Sequence, residues 1–121
     1  MSIARTALPG VLVVAALSGC GGVDEATPLN DLTEEDWATL CADATVGWDA
    51  VSEDCGAYTA DIPAYTAADC EADVAFLTAG CAAVVGDWQT CMAGRQAADP
   101  CRPNAGLPSA CDLVAECDPN Q

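Results

Sequence analysis

Eight cysteines fall between residues 41 and 117, at Cys41, Cys55, Cys70, Cys81, Cys91, Cys101, Cys111 and Cys117. The closest two, Cys111 and Cys117, have five residues between them. Structural zinc sites present paired thiols about two to four residues apart, and this chain has no such pair and no histidine. The absence of Cys-x-x-Cys also argues against thioredoxin-like redox chemistry. Four disulfides are the natural reading, and they place the chain in an oxidising compartment. Spacing narrows the pairing without fixing it. Cys70 and Cys81 flank what reads as one helix, and eleven helical residues rise about 16 Å, well beyond disulfide reach. Cys111 and Cys117 should likewise not pair across a helical segment.

A ninth cysteine, Cys20, makes the count odd, which is awkward in an exported protein. Its surroundings resolve the difficulty. Arg5 precedes an apolar run from Ala7 to Leu17, and small residues follow. That is the layout of a secretory signal peptide. At eleven residues the run is short of the roughly 20 needed to span a bilayer as a helix. Leu17-Ser18-Gly19-Cys20 resembles the lipobox of bacterial lipoproteins. The resemblance implies cleavage between Gly19 and Cys20, acylation of the Cys20 thiol, and anchoring in the lipid bilayer. Two or three acyl chains, at about 0.8 kcal/mol per buried CH₂, hold permanently. Gly21 stands where an aspartate would favour the inner membrane, so the resemblance implies the outer membrane. With Cys20 set aside, the eight remaining cysteines pair evenly.

The expected organisation is therefore a signal peptide over 1–19, a lipidated Cys20 with a flexible tether over 20–31, and one disulfide-rich domain over 32–118. The expected fold is all-α: a small disulfide-stapled bundle of about four short helices, with an irregular or short-hairpin loop after the first. Thr33 with Asp36 reads as a capping box. Trp37, Leu40, Cys41 and Ala44 then share one helical face, and Gly47 ends the run. Residues 48–65 form an ordered loop or a small hairpin around Tyr58-Thr59 and Ile62. Thr66 with Asp69 opens a second helix reaching Gly80, striped by Cys70, Val74, Leu77 and Cys81. A third runs from about Gly86 to Ala97, burying Trp88, Cys91 and Met92 beside the stem of Arg95. A fourth runs from Pro108 to Glu116. Large apolar residues such as Trp37, Trp48, Ile62, Phe76 and Leu77 should make a thin core that depends on its disulfides.

Charge excludes several functions. The net charge is −16 at pH 7, from nineteen acidic and three basic residues with no histidine. Nucleic-acid binding needs cations that this chain lacks, and a protein partner, where there is one, should be cationic. Catalysis has no foundation: Ser52 and Ser109 have no histidine or lysine base, and carboxylate pairs such as Glu53–Asp54 or Asp69–Asp73 arise by composition. No cofactor is expected. Calcium is the best small-ligand alternative, through Asp43, Asp49, Glu53 and Asp54, although no D-x-D-x-D-G loop is present. Tyr58 and Tyr65 either cover the core or offer a partner surface.

The chain also resembles the short, Cys- and Ala-rich predicted lipoproteins of GC-rich deltaproteobacteria. The features are Val85-Gly86-Asp87-Trp88 ahead of a helical cysteine and Ala98-Asp99-Pro100-Cys101 closing that helix. This implies a helical fold and no mechanism. The expected function is structural or recognition work at the cell envelope. The alternatives are a secreted-type inhibitor or binder presenting a disulfide-pinned loop, and a calcium-dependent adhesion module.

Overall fold

The computed structural model describes residues 23–77 and 81–118. The apolar run, Gly19 and Cys20 lie outside the described residues. Four helices and one hairpin follow in the order α1 (Glu34–Ala44), β1 (Val51–Asp54), β2 (Thr59–Ile62), α2 (Ala67–Val74), α3 (Val85–Gln96) and α4 (Ala110–Ala115). The fold is thus helix-rich with a small antiparallel sheet, rather than all-α. Two residues, Gly56 and Ala57, close the hairpin between Cys55 and Tyr58, whose N–H···O bond is 2.8 Å. Gly56 has φ of +91°, a left-handed conformation that glycine adopts without steric cost.

The eight cysteines pair as Cys41–Cys70, Cys55–Cys101, Cys81–Cys117 and Cys91–Cys111. Each bond joins two different parts of the chain. Cys41–Cys70 ties α1 to α2, and Cys91–Cys111 ties α3 to α4. Cys81–Cys117 closes the far end, and Cys55–Cys101 holds the hairpin to the loop after α3.

Both capping boxes form. The Thr33 hydroxyl accepts from the Asp36 N–H while Asp36 accepts from the Thr33 N–H, and Thr66 and Asp69 do the same. Helix α2 is shorter than its apolar stripe suggests. It ends at Val74, where the Phe76 and Leu77 amides turn to tighter i−3 carbonyls. Further along, residues 83–85 lie in extended pairing with residues 27–29. Phe76, expected inside, is 61% exposed, whereas Leu77 packs on the core. Ile62 is also exposed.

The segment leading into the domain also departs from expectation. Residues 25–29, expected as part of a flexible tether, are packed against the start of α3. The amides of Val85 and Gly86 donate to the carbonyls of Thr27 and Glu25, both at 2.9 Å, and Leu29 N–H donates to Ala83 O at 3.1 Å. Pro28 and Val84 form an antiparallel bridge. The physical reason is twofold. The first amides of a helix lack intrahelical acceptors, and this segment supplies them. Leu29 is 3% exposed, and burying such a side chain contributes about 1.5–3 kcal/mol.

The core is small. Leu29, Leu40, Val74, Ala83, Val85, Trp88 and Met92 pack around Cys41, Cys70 and Cys117. Trp37 meets Trp88 edge-on, with centroids 5.3 Å apart. The Arg95 guanidinium reaches Met92 Sδ at 3.8 Å, so its stem lies along the apolar face while its head stays exposed.

Candidate recognition site at the hairpin

The hairpin has no core of its own. Every residue of β1 is exposed, and β2 is exposed except at one position. Its pairing runs Val51↔Ile62, Ser52↔Asp61, Glu53↔Ala60 and Asp54↔Thr59. An isolated two-stranded ribbon is marginal in water, so its attachments matter. The tip is fixed by Cys55–Cys101 and by the Tyr58 hydroxyl, which donates to Cys101 O at 3.1 Å. The anchoring loop is itself ordered, since Asp99 Oδ1 accepts from the Cys101 N–H at 2.9 Å. Across the strands, Ser52 Oγ donates to Asp61 Oδ1 at 2.7 Å.

Beneath the hairpin base lies a cleft of about 810 Å³ between the strands, α2, the end of α3 and the following loop. Its floor is an aromatic pair, Trp48 and Tyr65, with centroids 4.7 Å apart and planes tilted by 49°. The pair is held twice. Tyr65 N–H donates to Trp48 O at 3.2 Å, and Tyr65 OH donates to Asp73 Oδ2 at 2.5 Å. Burial and then this bond hold the Tyr65 phenol above the usual tyrosine range, so it stays a donor. Asp49, Asp69 and Asp73 contribute carboxylates, and Arg95 a single guanidinium. Asp69 sits below the ordinary carboxylate range because the Thr66 N–H, and then its hydroxyl, bond to it.

The two tyrosines singled out in the sequence differ in burial. Tyr65 is half-buried on Trp48, whereas Tyr58 is 56% exposed at the hairpin tip. The acidic candidates are mostly not brought together. Glu53 and Asp54 are adjacent on β1 and so project to opposite faces. Asp43 lines a separate hollow between α1 and α3. Asp69 and Asp73 do share the cleft, one turn apart on α2. Among the described residues no group of three or more His, Cys, Asp or Glu side chains is placed to hold a metal ion. Ser52 is engaged with Asp61, and nothing on this chain supplies it with a histidine or lysine base.

Arg95, Pro100, Pro103 and Asn104 join the cleft only through the fold. The loop carrying the last three is drawn up by Cys55–Cys101, a link between residues 46 apart, and no local pattern marks it. No helix among the described residues is long and apolar enough to cross a membrane. No protein-family model, curated protein or solved structure matches the chain.

Proposed function

We propose that the chain is an envelope lipoprotein whose domain displays a protein-recognition surface made by the 51–62 hairpin and the cleft at its base. The carrying observation is the hairpin itself. A ribbon that packs on little, yet is fixed by a disulfide and a tyrosine bond at its tip, is a rigid projecting surface rather than a core element. Rigid presentation lowers the ordering cost of binding.

The anchor enters through the lipobox resemblance at Cys20. Only Gly21 and Gly22 separate that residue from Val23, and three residue steps span at most about 11 Å. Residues 25–29 are bonded to the first turn of α3, whereas Arg95 and Gln96 in its last turn line the cleft. A helix of twelve residues is about 18 Å long. This geometry supports an arrangement with the anchor at one end of α3 and the recognition surface at the other, directed away from lipid. The strongly acidic composition keeps such a domain soluble and repels anionic headgroups.

The test is the intact mass of membrane-extracted protein, alkylated before and after reduction. The expected result is a chain beginning at acylated Cys20, with eight thiols appearing only on reduction. An unacylated Cys20 would remove the anchor and leave the secreted-type binder. Free thiols before reduction would remove the pinned hairpin on which recognition depends.

A further inference from the structure

We propose that the Trp48–Tyr65 cleft docks a basic peptide segment, seating a lysine or arginine side chain against the two rings; this deepens the recognition reading above. The cleft volume lies within the range of about 300–1,000 Å³ typical of ligand sites. Its floor is already organised. Trp48 and Tyr65 are bonded to each other through the backbone, and Asp73 fixes the tyrosine hydroxyl, so neither ring must be ordered on binding. A cation over an aromatic face is attracted by the ring quadrupole, the more strongly as water is displaced.

Charge selects the occupant. Asp49, Asp69 and Asp73 border the rings against one guanidinium, in a chain with nineteen acids and three basic residues. An anionic ligand would meet repulsion from the cleft and from the whole domain. Arg95 stands beside Tyr65 where this cleft adjoins a second, mostly apolar hollow along α3 and α4. Its charge closes that side to a second cation and so limits the register in which a basic segment can lie. Pro63, Pro100 and Pro103 form part of the lining. Their fixed φ gives the walls little freedom to collapse and leaves an open channel suited to extended chain.

The test uses the full chain in detergent with its disulfides intact. It is titrated with acetylated tetra-arginine amide and tetra-lysine amide, and followed by tryptophan fluorescence and calorimetry. The expected result is saturable one-site binding that tetra-glutamine amide does not reproduce. Trp48→Leu and Asp73→Asn should each weaken it about tenfold or more. Asp49→Asn, an exposed change that leaves the packing alone, should weaken it several-fold. The double variant Glu34→Gln/Glu35→Gln, in the first turn of α1, should stay within twofold of the parent.

Equal weakening by the α1 double variant would mean diffuse charge condensation and overturn the proposal, as would non-saturable binding. Tetramethylammonium binding as tightly as the peptides would reassign the cleft to a small ammonium ligand. The titration does not depend on the lipid, so an unacylated Cys20 leaves it standing, and its failure leaves the acyl mass standing.

Discussion

Gly94 on α3 faces Pro108 ahead of α4 so closely that a Cβ on Gly94 would stand 2.3 Å from Pro108 Cδ. Three residues back along α3, Cys91 is bonded to Cys111, which lies three residues beyond Pro108 on α4. The disulfide and the glycine therefore set the same antiparallel approach at successive levels. A proline ring cannot swing aside as a long side chain would. Gly94→Ala should lose about 1–3 kcal/mol from overpacking, partly offset by about 1 kcal/mol of helix propensity. The check is urea unfolding under non-reducing conditions. A variant more stable than the parent would show that the crossing relaxes freely.

The four disulfides should not be equivalent. Cys41 and Cys70 are both fully buried, so Cys41→Ala/Cys70→Ala removes a cross-link between α1 and α2 and opens a void. The chain-entropy contribution alone is about 3–4 kcal/mol, a large share of the roughly 5–15 kcal/mol that stabilises most domains. Global unfolding at low denaturant is the expected outcome. Cys55→Ser/Cys101→Ser should instead release only the hairpin. Amide exchange at 51–62 should quicken while protection around Leu40 and Trp88 is kept.

Tyr65 should titrate above the usual tyrosine value of about 10, because burial and the Asp73 bond favour the protonated phenol. The folded protein then holds this proton more tightly than the unfolded chain. The stability so contributed is present in full below about pH 10 and is lost as pH rises through the folded value. Ultraviolet titration at the phenolate band checks the midpoint. In Tyr65→Phe, the part of the alkaline loss of stability due to this phenol should vanish.

Asp69 runs the other way. Its lowered value reflects the Thr66 amide and hydroxyl, so its stabilisation is present above the ordinary aspartate value of about 3.9 and fades as pH falls through the folded one. Thr66→Ala keeps the amide and removes the hydroxyl. Carboxyl NMR should show Asp69 moving partway back towards the ordinary value, and the Tm should fall as α2 loses its cap.

Much of the helical content was legible because its causes are local. Thr33 with Asp36 and Thr66 with Asp69 are capping pairs three residues apart, and Trp37, Leu40, Cys41 and Ala44 share a face by period alone. The Asp87 carboxylate accepts from the Val84 N–H in the same manner, but valine offers no acceptor in return, so the helix read from about Gly86 opens on half a capping box. What was not legible is non-local. Leu29 sits among Asp, Asn, Pro and Thr, a composition that reads as tether, and is buried only because Ala83 and Val85 lie alongside it. Gly94 looks like an indifferent helix glycine until Pro108 is placed against it. The cleft exists only once Cys55 finds Cys101 among on the order of a hundred possible pairing schemes.

The interleaving of the disulfides has a consequence for how the chain meets a protease. Cys41–Cys70, Cys55–Cys101 and Cys81–Cys117 overlap in sequence, so every peptide bond from Cys41 to Cys117 is bridged by at least one of them. A protease that cuts once anywhere in that stretch, including the exposed hairpin tip at Gly56-Ala57, adds a water molecule and releases nothing. The nicked protein stays in one piece until it meets a reductant.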